Sequence, residues 1–202
     1  PAPLSLRGRI IELIEGEITR RKQGQRARIL AKVNSLVDPE IIDALYRASQ
    51  AGVKVQLCVR GICCLRPEVP GVSDNIRVHS VLGRFLEHSR LFRFENAGGD
   101  PVILMGSADW MPRNFLRRVE CIFPIRSKHL RKRVEQEILG TYADSQGDAQ
   151  FLQSDGSYRS ALEVGRRGPL AQDAFLGMAN HLQPETVSAA PKARGRSVRR
   201  PR

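Results

Sequence analysis

Hydrophobic positions along the first sixty residues change period twice. Leu6, Ile10, Leu13, Ile14 and Ile18 recur at helical spacing with charged residues between them, which predicts a helix over residues 4–23. Gln23-Gly24-Gln25 ends it. A short apolar run, Ala27 to Asn34, follows and suits a buried strand. Asp38-Pro39 starts the next helix, with a capping Asp and Pro at the first helical position. Ile41, Ile42, Leu45, Tyr46 and Ala48 supply its apolar face, and Gly52 is placed to stop it. Val53, Val55, Leu57 and Val59 then alternate as a strand. Strand, helix and strand with short connections make a βαβ unit, which implies parallel pairing.

Beyond residue 60 the pattern is more broken. Residues 66–75 read as a loop and Ile76–Val81 as a short strand. Ser89–Glu95 and Val102–Ser107 read as two strands joined by the turn-rich Asn96-Ala97-Gly98-Gly99-Asp100, a hairpin signal. Val119–Ile125 is another apolar run. Ser127 to about Asp144 carries Leu130, Val134, Ile138 and Tyr142 at helical spacing. The signals fade after Phe151, where 153–158 makes at most one turn or short strand. The expected fold class is therefore α/β, a mixed sheet flanked by helices over residues 1–150. Residues 151–202 are expected to be a mostly disordered basic tail, and no internal repeat is visible.

Charge sharpens this picture. The formal net charge is +12, which points to an anionic partner. Residues 191–202 hold one Lys and five Arg with no acid, so they supply half of it. No aromatic residue interleaves that basic run, which argues against base stacking and a specific nucleic-acid partner. No apolar run approaches the ~20 residues that span a bilayer, and no signal-peptide pattern is present. The start at Pro1, without an initiator Met, reads as part of a longer chain. Cys58, Cys63, Cys64 and Cys121 form no C-x-x-C pair, and apolar neighbours suggest reduced, buried thiols in a cytoplasmic protein.

Candidate chemistry gathers around His88. His88-Ser89-Arg90 leads into one strand of the hairpin, with Glu95 further along it, and Gly106-Ser107-Ala108-Asp109 ends the other. Pairing of those strands brings His88 and Ser107 to one region. An imidazole that can attack phosphorus or pass a proton, guanidinium groups that grip oxyanions, and a Gly-Ser turn offering backbone N–H groups suit phosphoryl chemistry. Arg60 stands at the end of a parallel strand, where α/β sheets bind ligands. Arg90, Ser107 and Arg113 are further phosphate-binding candidates. Asp109 shapes a turn or touches ligand, and Arg90 has Glu95 as a possible ion-pair partner. His79 reads as a surface or edge residue, Phe85 and Leu86 as core, and Trp110 and Met111 as packing.

The His88–Asp109 stretch resembles one half of the phospholipase D superfamily signature, H-x-K-x4-D followed by G-S-x-N. Arg90, Glu95 and Asp109 replace its Lys, Asp and Asn. A longer series is more specific: Asn34-Ser35-Leu36-Val37-Asp38-Pro39; Ala48-Ser49-Gln50-Ala51-Gly52-Val53-Lys54; Val59-Arg60-Gly61-Ile62-Cys63-Cys64-Leu65-Arg66-Pro67; Asn75-Ile76-Arg77-Val78; Arg84-Phe85-Leu86-Glu87-His88-Ser89-Arg90; and Gly106-Ser107-Ala108-Asp109-Trp110-Met111-Pro112-Arg113-Asn114. In this order and spacing, from about residue 4 to about 158, it resembles the second of two C-terminal phospholipase-D-like domains of the polyphosphate kinase family.

The resemblance implies a phospholipase-D-like fold and reversible transfer of the ATP γ-phosphate to inorganic polyphosphate through a phosphohistidine, with Mg2+. The phosphorylated histidine and the Mg2+-contacting arginines belong to a preceding domain with no match here. The resemblance therefore implies no metal ligand in this chain, and no kinase activity from this chain alone. Arg60 and His88 carry over as residues lining the nucleotide phosphate site, with His88 assisting the transfer. ATP or ADP, polyphosphate, the remaining domains and further copies of the enzyme are the implied partners. Two rival functions fit the same residues: a phosphodiesterase that completes its site by dimerisation, and a non-catalytic polyanion-binding module.

Overall fold

The computed structural model describes residues 2–144, 147 and 149–181. The basic stretch 191–202 lies outside the described residues. Two features of the sequence set the framework: apolar alternation in short strands, and helices with one buried stripe. Helix α1 (Leu6–Lys22) buries Leu6, Ile10, Ile14 and Ile18. Strand β1 (Arg28–Val33) leads to α2 (Pro39–Gln50), where the Asp38 carboxylate accepts from the Ile41 N–H and closes the first turn. Gly52, at φ +84°, takes the left-handed conformation that lets the chain leave α2 and enter β2 (Lys54–Val59).

After β2 come β3 (Ile76–Val81), β4 (Leu91–Phe94), β5 (Val102–Gly106), α3 (Pro112–Leu116) and β6 (Ile122–Pro124). A helical segment follows, in which α4 (Lys128–Arg133) and α5 (Gly140–Asp144) flank a π-helical stretch at Val134–Leu139. The strands β7 (Ala149–Leu152) and β8 (Tyr158–Ser160) and the helix α6 (Ala171–His181) complete the described elements. The sheet order is β6-β5-β4-β1-β2-β3-β7-β8. β1, β2 and β3 run parallel, and every other pairing is antiparallel. The mixed sheet flanked by helices is thus the architecture expected from the sequence.

Strand pleating divides the sheet into two unlike faces. Ile29, Ala31 and Val33 of β1 and Val55, Leu57 and Val59 of β2 face the large apolar core under α1 and α2. The alternate residues point the other way. There Cys58, Val81, Tyr142 and Ala171 form a smaller core with Ile138 and Phe175. Lys32 and His79 lie on this second side, and both are buried.

Several expectations are corrected. The folded part continues past residue 150, because β8 and α6 follow it and Ala171 and Gln172 are buried. The strands there are too short to leave a periodic signal, and α6 buries Ala171 and Gln172 within a single turn. His79 is buried rather than superficial, since β7 pairs with β3 and covers it. Phe85 and Leu86 are exposed on the β3–β4 loop. Cys58 is buried and in no disulfide, but Cys64 and Cys121 are exposed. No helix among the described residues is long and apolar enough to cross a membrane.

Candidate functional site

The site lies at the C-terminal ends of β1 and β2, where the parallel strands release their chains. Arg60 is the residue after β2; its N–H donates to the Val33 carbonyl and its carbonyl accepts from Ser80 Oγ, which anchors its backbone. The loop from β3 to β4 passes over these strand ends and carries Glu87 and His88. Two cations converge on one acceptor there. Arg60 Nη1 donates to the Glu87 carbonyl at 3.2 Å, and Lys32 Nζ approaches the same oxygen at 3.4 Å.

Lys32 is fully buried, with its ammonium 5.3 Å from the Tyr142 ring centroid. Burial lowers its pKa, opposed by Cys58 and the Glu87 carboxylate. The Glu87 carboxylate is itself buried and accepts from the Tyr142 hydroxyl and from Gln172 Nε2 at 2.8 Å. Ser89 Oγ stands 3.1 Å from the Tyr142 hydroxyl oxygen and completes the chain of contacts. Burial first, and then the Glu87 hydrogen bond, push the Tyr142 phenol upward. It is therefore neutral and serves as a donor. Gln172 reaches in from α6 and also brackets Phe85, accepting from its N–H at 2.9 Å and donating to its carbonyl at 2.7 Å.

His88 is exposed at the mouth of this arrangement. Arg90 Nη1 lies 3.1 Å from His88 Nδ1 and donates to the His88 carbonyl at 2.9 Å. A guanidinium can only donate, so Nδ1 must present its lone pair, and the ring proton resides on Nε2. The positive charge of Arg90 pushes the His88 pKa down, helped by slight burial, Arg60 and Lys32 and opposed by Asp109. Arg90 is held in turn by Asp109, with contacts of 3.3 Å from Nε and 3.0 Å from Nη2. Asp109 Oδ1 also accepts from the Asn34 N–H at 2.7 Å and from Asn34 Nδ2 at 3.2 Å. Burial pushes the Asp109 carboxyl up, but these hydrogen bonds outweigh it and hold the group below the usual carboxylate range.

The structure thus brings Arg60, His88 and Arg90 together and adds Lys32. It does not bring Glu95 to them. Glu95 follows the far end of β4, beside the start of β1, and pairs with Arg93 at 2.8 Å. The ion pair expected between Arg90 and Glu95 is formed with Asp109 instead, because β4 runs between the two positions. Ser107 is exposed near the His88 end of the hairpin, but its Oγ donates to the buried Glu120 carboxylate and accepts from the Cys121 N–H. The turn forms because Gly106 leaves room for the Cys121 carbonyl, which would lie 2.1 Å from a Cβ there. The Arg113 side chain is exposed and makes no hydrogen bond or ion pair among the described residues. Trp110 stacks on Phe92 at 5.2 Å and packs the core.

Lys32, Glu87, Tyr142 and Gln172 were not singled out as site residues in the sequence. Lys32 has a legible signal, being a lone charge inside the apolar run Ile29–Val33. The other three belong to separated elements and are joined only by tertiary folding. Chemically, the arrangement offers an imidazole N–H, two guanidinium groups and an ammonium beside a solvent-open surface. Their charge and geometry suit an oxyanion.

An α/β domain with a cationic, imidazole-bearing mouth at its parallel strand ends is the class that fold and site define. The sequence matches the family described as polyphosphate kinase C-terminal domain 2 over residues 1–172, and the chain belongs to that family. It is 51% identical over 175 residues to polyphosphate kinase from Pseudomonas aeruginosa, covering 87% of this chain and 25% of that protein. It is 53% identical over 158 residues to polyphosphate kinase from Rhodopirellula baltica, covering 78% of this chain and 18% of that one. The crystal structure of polyphosphate kinase from Porphyromonas gingivalis matches with a TM-score of 0.81 and 37% identity, over 87% of this chain and 27% of that chain. The chain therefore spans about a quarter of the length of such relatives.

Proposed function

We propose that this chain is the phosphate-binding half of a polyphosphate kinase active site, serving reversible transfer of the ATP γ-phosphate to inorganic polyphosphate. The observation that carries the reading is the Arg90–His88 contact, which leaves Nε2–H of His88 as a donor facing solvent among cations. The attacking group in this reading is a histidine in another part of the protein. Its ring nitrogen forms a bond to the γ-phosphorus while the bond to the β–γ bridging oxygen breaks, and that electron pair stays on ADP. In the return step a terminal polyphosphate oxygen displaces the histidine.

This chain supplies charge and hydrogen bonds to those steps. Arg60 has N–H groups beyond the one donated to Glu87 and would hold phosphate oxygens. Nε2–H of His88 would donate to an oxygen gaining charge. Arg90 holds the His88 ring at Nδ1, which favours the neutral imidazole and a hydrogen-bonding role over delivery of a full proton. Arg113 and the Ser107 turn would lie further along the same mouth.

Mg2+ does not fit these residues. The Asp109 and Glu87 carboxylates of this site are both engaged, Asp109 by Arg90 and Asn34 and Glu87 by Tyr142 and Gln172. Among the described residues no three His, Cys, Asp or Glu side chains cluster to hold a metal. In this reading the metal is held outside this chain, and the cytoplasm, where ATP is abundant, is the place of action. The test is ATP-dependent polyphosphate synthesis by the full-length enzyme carrying His88→Ala. A loss of two orders of magnitude or more, on the order of an oxyanion-donor deletion, is expected, and near-normal synthesis would overturn the role.

A further inference from the structure

The opposite edge of the sheet carries a second concentration of positive charge. A cavity of about 770 Å³ lies at the N-terminal ends of β1, β2 and β3. Arg21, Arg26, Arg28, Lys54 and Arg77 line it, against only two carboxylates, Asp74 and Glu95. All five cations are exposed. The carboxylates neutralise little of this charge. Glu95 is engaged by Arg93 at 2.8 Å and reaches Arg26 only at 3.7 Å, and Asp74 accepts from the Gly71 N–H. Arg77 has Glu68 at 2.9 Å. The Arg28 guanidinium bonds the neutral Gln56 amide, at 2.9 Å, while the Arg28 backbone N–H donates to Glu17 at 3.1 Å. The side chains of Arg21, Arg28 and Lys54 thus have no carboxylate partner among the described residues, whereas Arg7, Arg47, Arg90 and Arg131 elsewhere in the domain are ion-paired.

The charge is also extended. A second cavity of about 280 Å³ shares Arg28, Gln56 and Arg77 with the first and adds one carboxylate, Asp144, and Arg166, whose guanidinium lies 4.7 Å from the Phe151 ring centroid. Cations from α1, β1, β2, β3 and the segment after β8 therefore border one continuous depression. A single phosphate would occupy only part of it. A flexible chain with a negative charge on each unit can meet Arg21, Arg28, Lys54, Arg77 and Arg166 in turn. The repulsion among these clustered cations would then be relieved by the ligand.

We propose that this groove is a second anion site that takes a stretch of inorganic polyphosphate, away from the phosphate site around His88. The choice of polymer rests on the function proposed above; the site itself rests on the groove. Six-residue strands separate the two edges, a span of about 20 Å. A polymer engaged at the His88 edge could thus be held by the same domain at its other edge.

The test is binding of labelled polyphosphate to the 202-residue chain as a function of salt. Arg28→Glu/Lys54→Glu is compared with Arg117→Glu/Arg118→Glu, an equal change of charge at the His88 end. The groove pair should weaken binding about tenfold or more and flatten the salt dependence, and the control pair should cost several-fold less. Equal losses from the two pairs, or no loss from the groove pair, would overturn the site. Arg28→Gln/Lys54→Gln, with circular dichroism on all variants, gives the same reading should charge reversal unfold the chain, and an intermediate loss is expected. A single-stranded oligonucleotide of equal charge that competes as well as polyphosphate would overturn the ligand. Full activity of the His88→Ala enzyme would defeat the catalytic proposal while leaving groove binding intact, so the two can fail separately.

Discussion

Arg90 donates both to the ring of His88 and to its carbonyl, at 3.1 and 2.9 Å, so one guanidinium fixes the imidazole and its backbone together. The same guanidinium is locked by Asp109, and Asp109 is locked by Asn34 at the end of β1. The orientation of an exposed side chain is thereby traced to a buried carboxylate on the segment after β5.

The first prediction concerns the nitrogen that matters. If His88 acts through Nε2–H, a glutamine amide can place an N–H near the same point, whereas alanine cannot. In the full-length enzyme His88→Gln should retain at least about tenfold more polyphosphate synthesis than His88→Ala, a difference of about 1.4 kcal/mol in barrier. Steady-state rates at saturating ATP decide it. Equal rates for the two variants would remove the Nε2–H argument.

Asp109→Asn tests the support beneath the ring. The change keeps the shape but leaves the Arg90 charge without its counter-ion in a mostly buried setting. A loss of about 2–4 kcal/mol in stability is expected, typical of breaking one side of such a pair. The His88 pKa, followed by NMR, should fall further, because Asp109 is the group that raises it. A stability within ~0.5 kcal/mol of the parent would show the pair to be an ordinary surface contact.

Much of this was legible in the chain before folding, and the reasons for the remainder are physical. Asp38-Pro39, the βαβ alternation and the hairpin from 91 to 106 are local, so spacing and caps reveal them. Arg60 and His88 stand at element ends, where motifs are readable. Sequence proximity favours Glu95 over Asp109 as the Arg90 partner, and the antiparallel register alone decides between them. The burial of His79 leaves no local signal, because β3 becomes interior only when a remote strand, β7, pairs with it. The Glu87–Tyr142–Gln172 contacts join three elements across 85 residues of chain, which no periodicity can announce.

His79 provides a prediction about pH. Burial is the main cause that pushes its pKa down to about 4, with the Tyr142 carbonyl opposing and Arg166 and Lys32 assisting. His79 Nε2 sits 2.8 Å from that carbonyl and must donate to it. The folded pKa lies below the unfolded value of about 6.5, so the unfolded chain binds more protons between these limits. Its contribution to stability is complete above pH 6.5 or so and is lost as pH falls toward about 4. Urea midpoints measured across that window should fall with pH by the equivalent of roughly 3 kcal/mol at most. His79→Gln, which keeps an N–H donor, should flatten the slope. An unchanged slope in that variant would assign it to other groups.

The last prediction concerns Gln172, which lies on α6 yet brackets the backbone of Phe85 and donates to Glu87. Phe85 and Glu87 belong to the loop that carries His88, and the exposed Phe85 and Leu86 side chains add little apolar packing to hold it. The amide fixes the loop by three hydrogen bonds, and Gly83 passes so close that a Cβ would lie 2.5 Å from Gln172 Oε1. Gln172→Ala removes those bonds and leaves the buried Glu87 carboxylate with the Tyr142 hydroxyl as its remaining hydrogen-bond donor among the described residues. A stability loss of about 1–3 kcal/mol follows from the unsatisfied groups. Hydrogen exchange at the Phe85 amide should quicken at least about tenfold, while amides of β1 keep the protection set by global unfolding. Gln172→Glu should not restore the loop, because a second carboxylate would face Glu87. Unchanged exchange at Phe85 in the alanine variant would show that α6 merely covers the loop rather than holding it.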